Sequence, residues 1–222
     1  MFTGLVREVA TVRSVGAAGR TRVVEIDAPS SAPSLAIGDS LAVDGICLTV
    51  TGKAGRRVRA DLSPETLRVT TAGNWVAGRR VHVEPARRVG DELGGHFVLG
   101  HVDGVGRVVA RRRAGRSASL TIAADAAVLA QLLPKGSIAV DGVSLTLDEG
   151  PFDRTFTVML VPHTLAQTHL ASLGRGDRVN LEVDVLAKAA RAQRPAGGGP
   201  PPEPLTVDAI LRAGWRKRPT SA

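Results

Sequence analysis

The chain has 222 residues, 43% hydrophobic and 23% charged, with 29 Lys and Arg against 21 Asp and Glu. This is the composition of a globular protein of one or two domains, and no stretch approaches the ~18 consecutive apolar residues of a membrane span. The net charge of +8 raises nucleic acid as a partner, but the cations are scattered apart from Arg111-Arg112-Arg113 and Arg216-Lys217-Arg218, and aromatics make up only 3%. Stacking platforms for bases are therefore scarce, and neither a nucleic-acid nor a membrane partner is expected.

The N-terminus has no basic region followed by an apolar run, so it does not read as a signal peptide. Cys47 is the single cysteine and closes no disulfide within the chain. A reducing cytoplasm is the expected compartment.

In chain order, residues 3–14 alternate apolar and polar around Leu5, Val9 and Val12, which predicts a half-buried strand. Gly16-Ala17-Ala18-Gly19 turns the chain, and 20–26 returns as a second strand. Strands over 40–43 and 46–52 are joined by Asp44-Gly45, a strong hairpin signal because both central positions of a type I′ turn need positive φ. Residues 57–62 form another strand. A short helix starts at Ser63, with Pro64 suited to the first turn and Glu65 to the positive end of the dipole. Residues 80–84 are the sixth strand.

The same plan then recurs. Strands are predicted near 97–111 and 117–124, a helix near 126–132, and strands at 137–140 and 143–149 joined by Asp141-Gly142. A strand at 155–161, a helix at 163–171 and a strand at 178–183 follow. The repetition is also in the letters. Gly4-Leu5-Val6 matches Gly100-His101-Val102, Asp44-Gly45 matches Asp141-Gly142, and Pro64-Glu65-Thr66-Leu67 matches Pro162-His163-Thr164-Leu165, at offsets of 96 to 98. Order and spacing are kept together, so the chain is a duplicated domain. Short strands with glycine turns predict an all-β fold of two antiparallel barrels or sandwiches. The expected division is 1–88, 89–186 and a tail at 187–222. In the tail, an alanine-rich helix over 186–193 and a Pro/Gly linker over 194–204 precede a short amphipathic helix at 205–212. That last helix is too short to persist without a docking surface.

The segments Met1-Phe2-Thr3-Gly4, Gly45-Ile46-Cys47-Leu48-Thr49, Gly94-Gly95-His96, Gly100-His101-Val102, Asp141-Gly142-Val143-Ser144-Leu145-Thr146 and Val179-Asn180-Leu181-Glu182-Val183-Asp184 resemble the alpha-type riboflavin synthase family. The resemblance spans residues 1 to about 186 and returns at 205–215. It implies two six-stranded Greek-key barrels and a C-terminal helix through which a homotrimer assembles. It implies that two molecules of 6,7-dimethyl-8-ribityllumazine give riboflavin and 5-amino-6-ribitylamino-uracil, with no metal or redox cofactor. Each barrel of the family binds one lumazine, between the N-barrel of one subunit and the C-barrel of its neighbour. A non-catalytic lumazine- or flavin-binding antenna protein of the same double-barrel type is the competing reading.

Two copies of one pocket suit a reaction between two identical molecules, because fixing both removes the bimolecular search. Thr49 and Thr146 are shared by the copies, as are Thr66 and Thr164, and are expected to bind what both lumazines present. By the resemblance, Leu48, Asp61, Leu62, Ser63, Pro64 and Glu65 belong to one set of binding residues, and Leu145, Val161, Pro162 and His163 to the other. Gly4, Leu5 and Val6, with Gly100 and Val102, complete them.

The unshared groups are expected to distinguish donor from acceptor. Cys47 faces Ser144 in the alignment of the copies, His101 faces Leu5, and Asp184 faces Ala86. His101 is the candidate base for the acidic methyl at lumazine C7, and Cys47 or an activated water the nucleophile. Ser40, Ser144 and Asp184 are expected to position or polarise the ring, and Lys135 to steady its anion.

Blander readings stand beside these. A lone cysteine after a turn is commonly a small buried hydrophobe, and His96 with His101 lacks a third metal ligand at suitable spacing. His82 and His169 read as surface residues, and Asp44 and Asp141 as turn formers. Gly104-Val105-Gly106 is not a dinucleotide loop, since no helix or third glycine follows.

Overall fold

A computed structural model describes residues 1–192. The linker and amphipathic helix expected beyond Gln193 lie outside the described residues. Met1–Arg191 form one compact unit.

Each repeat closes into a six-stranded antiparallel barrel, as the duplication requires. The first comprises β1 (Glu8–Ala18), β2 (Thr21–Asp27), β3 (Ser40–Val43), β4 (Ile46–Ala54), β5 (Arg57–Leu62) and β6 (Arg80–Pro85), ordered β1-β2-β5-β4-β3-β6 around the barrel. The second comprises β7 (Gly104–Ala114), β8 (Ser117–Ala123), β9 (Ser137–Val140), β10 (Val143–Glu149), β11 (Thr155–Leu160) and β12 (Arg178–Val183), in the equivalent order. Alternation does the local work. In β5, Val58, Ala60 and Leu62 enter the core while Arg57, Arg59 and Asp61 face out. The two tight turns match expectation: Asp44 and Gly45 have φ of 45° and 75°, Asp141 and Gly142 of 44° and 79°.

The helices are short. α1 (Pro64–Val69) is capped by Ser63, whose Oγ accepts the Thr66 N–H at 3.0 Å. α2 (Ala126–Leu129) is shorter than the 126–132 expected and ends in a turn, and α3 (Pro162–Gln167) is shorter than 163–171 because 3₁₀ geometry takes over at His169–Ser172. α4 (Val185–Ala192) matches the alanine-rich segment.

Two predicted strand starts move. β1 begins at Glu8 and β7 at Gly104, because the residues before them leave their own barrel. Phe2 and Val98, equivalent in the repeat, form a two-way backbone bridge with each other. From there the chains cross. The Gly4 carbonyl accepts the Ser144 N–H of the second barrel at 2.9 Å, and the Gly100 carbonyl accepts the Cys47 N–H of the first at 2.9 Å. Val6 packs against the second core and Val102 against the first. A Cβ on Gly4 would stand 2.6 Å from the Ser144 Cβ, and one on Gly100 2.5 Å from the Cys47 Cβ. With φ of 74° and 79°, both positions need glycine.

His82 and His169 are buried, contrary to the surface reading. Each lies where the two barrels meet, and their rings stack at 3.7 Å. The His169 N–H donates to His82 Nε2 at 3.0 Å, and His82 Nδ1 faces the Asp141 carbonyl at 2.8 Å. Both ring nitrogens of His82 are thus engaged within the protein. Burial, reinforced by His169, depresses His82 to about 3, so it is neutral. Asp44 and Asp141 prove to be more than turn formers. Burial would raise Asp44, but its 3.0 Å bond to His169 Nε2 and the charge of Arg79 bring it below the usual range. Burial lowers His169, but that same bond together with the charges of Asp44 and Asp141 outweighs it, and its net shift is upward. Asp141, its Oδ2 unpartnered among the described residues, is pushed up to about 8 by burial and by Asp44. Asp44, His82 and His169 are spaced for a metal, yet the lone pair at His82 Nε2 already accepts a backbone N–H, so the cluster is built as a lock between barrels.

Candidate functional site

The crossing segments build two equivalent faces on the outside of the barrels. In β4 the side chains of Ile46, Leu48 and Val50 point into the core, so Cys47 and Thr49 point out. β3 adds Ser40 beside Thr49 and Ala42 beside Cys47, and β6 adds Glu84 beside Ala42. The second barrel repeats the rows with Thr146 beside Ser137, Ser144 beside Ala139, and Glu182 beside Ala139. Identical registers explain why the shared threonines occupy the same place on both faces.

Two residues that the sequence reading passed over hold these faces together. Glu84 Oε1 accepts the Thr3 N–H and Oγ–H, both at 2.8 Å, and Oε2 accepts the Gly4 N–H at 3.0 Å. Glu182 does the same for the other tether, accepting from Leu99 and Gly100 at 2.7 and 2.9 Å. Burial raises both carboxyls above the usual range, and the donated N–H groups oppose it. The available signal was a glutamate at the same position of both copies, near the end of the last strand.

His101 and Val102 therefore stand on the Cys47 face, and Leu5 and Val6 on the Ser144 face. Cys47 is half-buried against Phe2, Val98 and Ala42, while Thr49 and His101 are exposed. Asp61, Ser63, Pro64 and Glu65 form an exposed corner where β5 meets α1, and the Ser63 and Thr66 hydroxyls stand 2.9 Å apart. Glu65 is committed to Arg68 by two hydrogen bonds. In the second barrel Val161, Pro162, His163 and Thr164 form the matching corner. Leu48, Leu62 and Leu145 are buried in the cores, so they offer a ligand backbone only. Lys135 sits in the turn before β9 with Nζ bound to the Asp148 carbonyl and carboxylate at 2.8 and 3.2 Å.

The faces are chemically unequal. Ser144 Oγ lies 2.7 Å from His96 Nδ1, and His96 Nε2 is buried without a partner among the described residues. Burial lowers the His96 pKa, opposed by the nearby Asp184 charge, so its imidazole is neutral near pH 7. The first copy has no counterpart of His96. At the row ends, Ser40 and Ala86 line a cleft of about 430 Å³, and Ser137 and Asp184 its smaller twin of about 220 Å³.

Comparison with known proteins follows this division. The Lumazine binding domain family matches twice, over residues 3–86 and 99–184. Riboflavin synthase of Bacillus subtilis (strain 168) is 36% identical over 188 residues, covering 85% of this chain and 87% of that protein. Riboflavin synthase of Actinobacillus pleuropneumoniae is 34% identical over 218 residues, covering 97% and 100%. This chain belongs to the riboflavin synthase family. The fungal riboflavin synthase of Schizosaccharomyces pombe is 38% identical over 190 residues, covering 85% of this chain and 91% of its own. Among solved structures, LumP complexed with riboflavin shares the fold, with a TM-score of 0.77 at 24% identity over 82% of this chain and 99% of that one. LumP with 6,7-dimethyl-8-(1'-D-ribityl) lumazine superposes at a TM-score of 0.74. The two matched segments coincide with the two barrels and take in Gly4 and Val6 of one crossed tether and Gly100 and Val102 of the other.

Proposed function

We propose that the protein is a riboflavin synthase, joining two molecules of 6,7-dimethyl-8-ribityllumazine into riboflavin and 5-amino-6-ribitylamino-uracil. The observation that carries this reading is the pair of faces with matching hydroxyl rows and unmatched reactive groups: Cys47 with His101 on one, and Ser144 with His96 on the other. Matching rows suit two copies of one substrate. Unmatched groups suit two different fates.

In this reading Thr49 with Thr66, and Thr146 with Thr164, take ring carbonyls and ribityl hydroxyls. The Ser63–Thr66 pair and Asp61 suit a polyol chain. His101 removes the C7 methyl proton, and Cys47 or a water adds to the partner ring. Ser144, made more basic by neutral His96, polarises the opposing lumazine, with Asp184 and Ser40 at the row ends. Lys135 serves the anionic ring once its Asp148 contact is released. Residues 1–88 and 89–186 are the two lumazine-binding units and 187–222 the assembly tail. The chain acts in the cytoplasm as a homotrimer whose neighbouring copy covers the open faces and brings donor to acceptor.

The purified protein is to be incubated with the lumazine and riboflavin followed by its absorbance. Steady riboflavin formation is expected. Tight lumazine binding with no riboflavin would overturn the enzyme reading in favour of a ligand-holding protein like LumP, whose fold this chain shares. Truncation after Gln193 should lower the mass in solution; an unchanged mass would refute the assembly role of the tail.

A further inference from the structure

The first barrel fills a cleft that the second leaves open. Strand registers fix the correspondence: Arg22 pairs with Ala17 and Leu62, and Ala118 pairs with Arg113 and Leu160. In the first copy Arg22 reaches from β2 to the segment after α1 and donates to the Gly73 carbonyl at 3.0 Å. In the second copy the arm is missing, because Ala118 ends at Cβ. Ala171, the counterpart of Gly73, is left facing it across a cleft of about 690 Å³.

That space is dressed for an anion. Arg111, Arg113 and Arg116 line it, together with apolar walls from Leu165 and Leu173. The counterparts of Arg111 and Arg113 in the first copy are Val15 and Ala17, by the same pairing, so two of the three cations exist only where the cleft is empty. All three are exposed, and none enters an ion pair or side-chain hydrogen bond among the described residues. Asp177 lines only the neighbouring cleft, where its carboxylate accepts the Gly174 N–H at 2.7 Å. Beside the cleft, and sharing Ser172 and Leu173 with it, lies a second one lined by Arg79, Arg80 and Arg178, which extends the positive field.

We propose that this cleft is a second ligand site, distinct from the lumazine faces, that takes a small phosphate ester. Guanidinium forks match phosphate oxygens, and two strand-borne arginines two residues apart present them from one side. The apolar walls then receive a compact body. The volume lies within the range of about 300–1,000 Å³ usual for small-molecule sites. None of the lining residues belongs to the lumazine faces, so the site stands or falls independently of turnover.

The test uses the full chain and phenyl phosphate as probe, with phenol and inorganic phosphate as controls, by titration calorimetry at low salt. Saturable binding of phenyl phosphate is expected, weaker binding of inorganic phosphate, and none of phenol. R111Q/R113Q should weaken the probe by about tenfold or more. A118R decides the matter. It adds a positive charge but refills the cleft as Arg22 does, and should weaken binding by a similar factor. Binding that A118R leaves unchanged or tightens would mean diffuse attraction to a basic surface and overturn the site, as would no saturable binding to the parent chain. If A118R does not fold, R111Q/R113Q at exposed positions decides alone: binding retained there overturns the proposal. Equal affinity for phenyl phosphate and benzoate would overturn the phosphate assignment.

Discussion

Cys47 and Ser144 occupy the same strand position, donate the same backbone bond to a crossing tether, and differ in what stands beside them. Ser144 has His96 at 2.7 Å; Cys47 has exposed His101 on the incoming segment. Cys47→Ser and His101→Gln are expected to slow riboflavin formation, the latter on the order of 10²-fold as for loss of a general base, with lumazine affinity nearly unchanged. Full activity in either variant would remove that residue from the mechanism. His96 carries its own signature. Burial lowers its pKa, so the imidazole takes up its proton at lower pH than an ordinary histidine. Its protonation should give the pH–rate profile an acid-side fall at that lower pH, and His96→Gln should remove that limb.

At the scale of the element, strands and tethers were unequally legible. The Asp-Gly turns, the cap at Ser63 and the alternation in β5 are written locally, and the structure follows them. β6 and β12 are not. In β6, Val81, His82, Val83 and Glu84 are all buried, because one side meets the barrel core and the other meets the second barrel or a tether. A strand covered on both sides loses its period-two signal, so His82 reads as surface from sequence. His169, in a 3₁₀ turn, also reads as surface from sequence, because its cover comes from His82 and Asp44 of the other copy. Residues 3–6 and 99–102 keep a strand-like pattern, but Gly4 and Val6 engage the second barrel, and Gly100 and Val102 the first. Glu84 is what ties the first tether down, and Glu84→Ala leaves three donors without their acceptor. It should cost about 3 kcal/mol of stability by denaturant melting; a loss below about 0.5 kcal/mol would show that water replaces the carboxylate.

For the whole molecule, the buried cluster between barrels makes stability depend on pH. Asp141 has a folded pKa of about 8, above its unfolded value, so the folded state holds a proton that the unfolded chain has released. That contribution is full at acid pH and is lost as pH rises toward and through about 8. His169, also raised, acts in the same sense above the ordinary histidine range. His82, depressed to about 3, acts in the opposite sense and removes stability as pH falls below about 6.5. Asp141→Asn keeps the Oδ1 acceptor for the Asn180 N–H and cannot ionise. Its melting temperature, relative to the parent, should rise between pH 6 and 9; a constant difference would place the Asp141 proton elsewhere.

The crossed tethers also have the symmetry of an exchange between two like halves. Residues 1–6 reach over the second barrel as 98–102 reach over the first, and Phe2 meets its own equivalent, Val98, at the crossing. Such an exchange is the geometry of a symmetric pair of separate chains, each lending its first residues to the other. In a single chain the exchange stands while the halves need not share every substitution. A symmetric pair must present the same residues at both faces. This chain has a cysteine at one face and a serine with a histidine at the other.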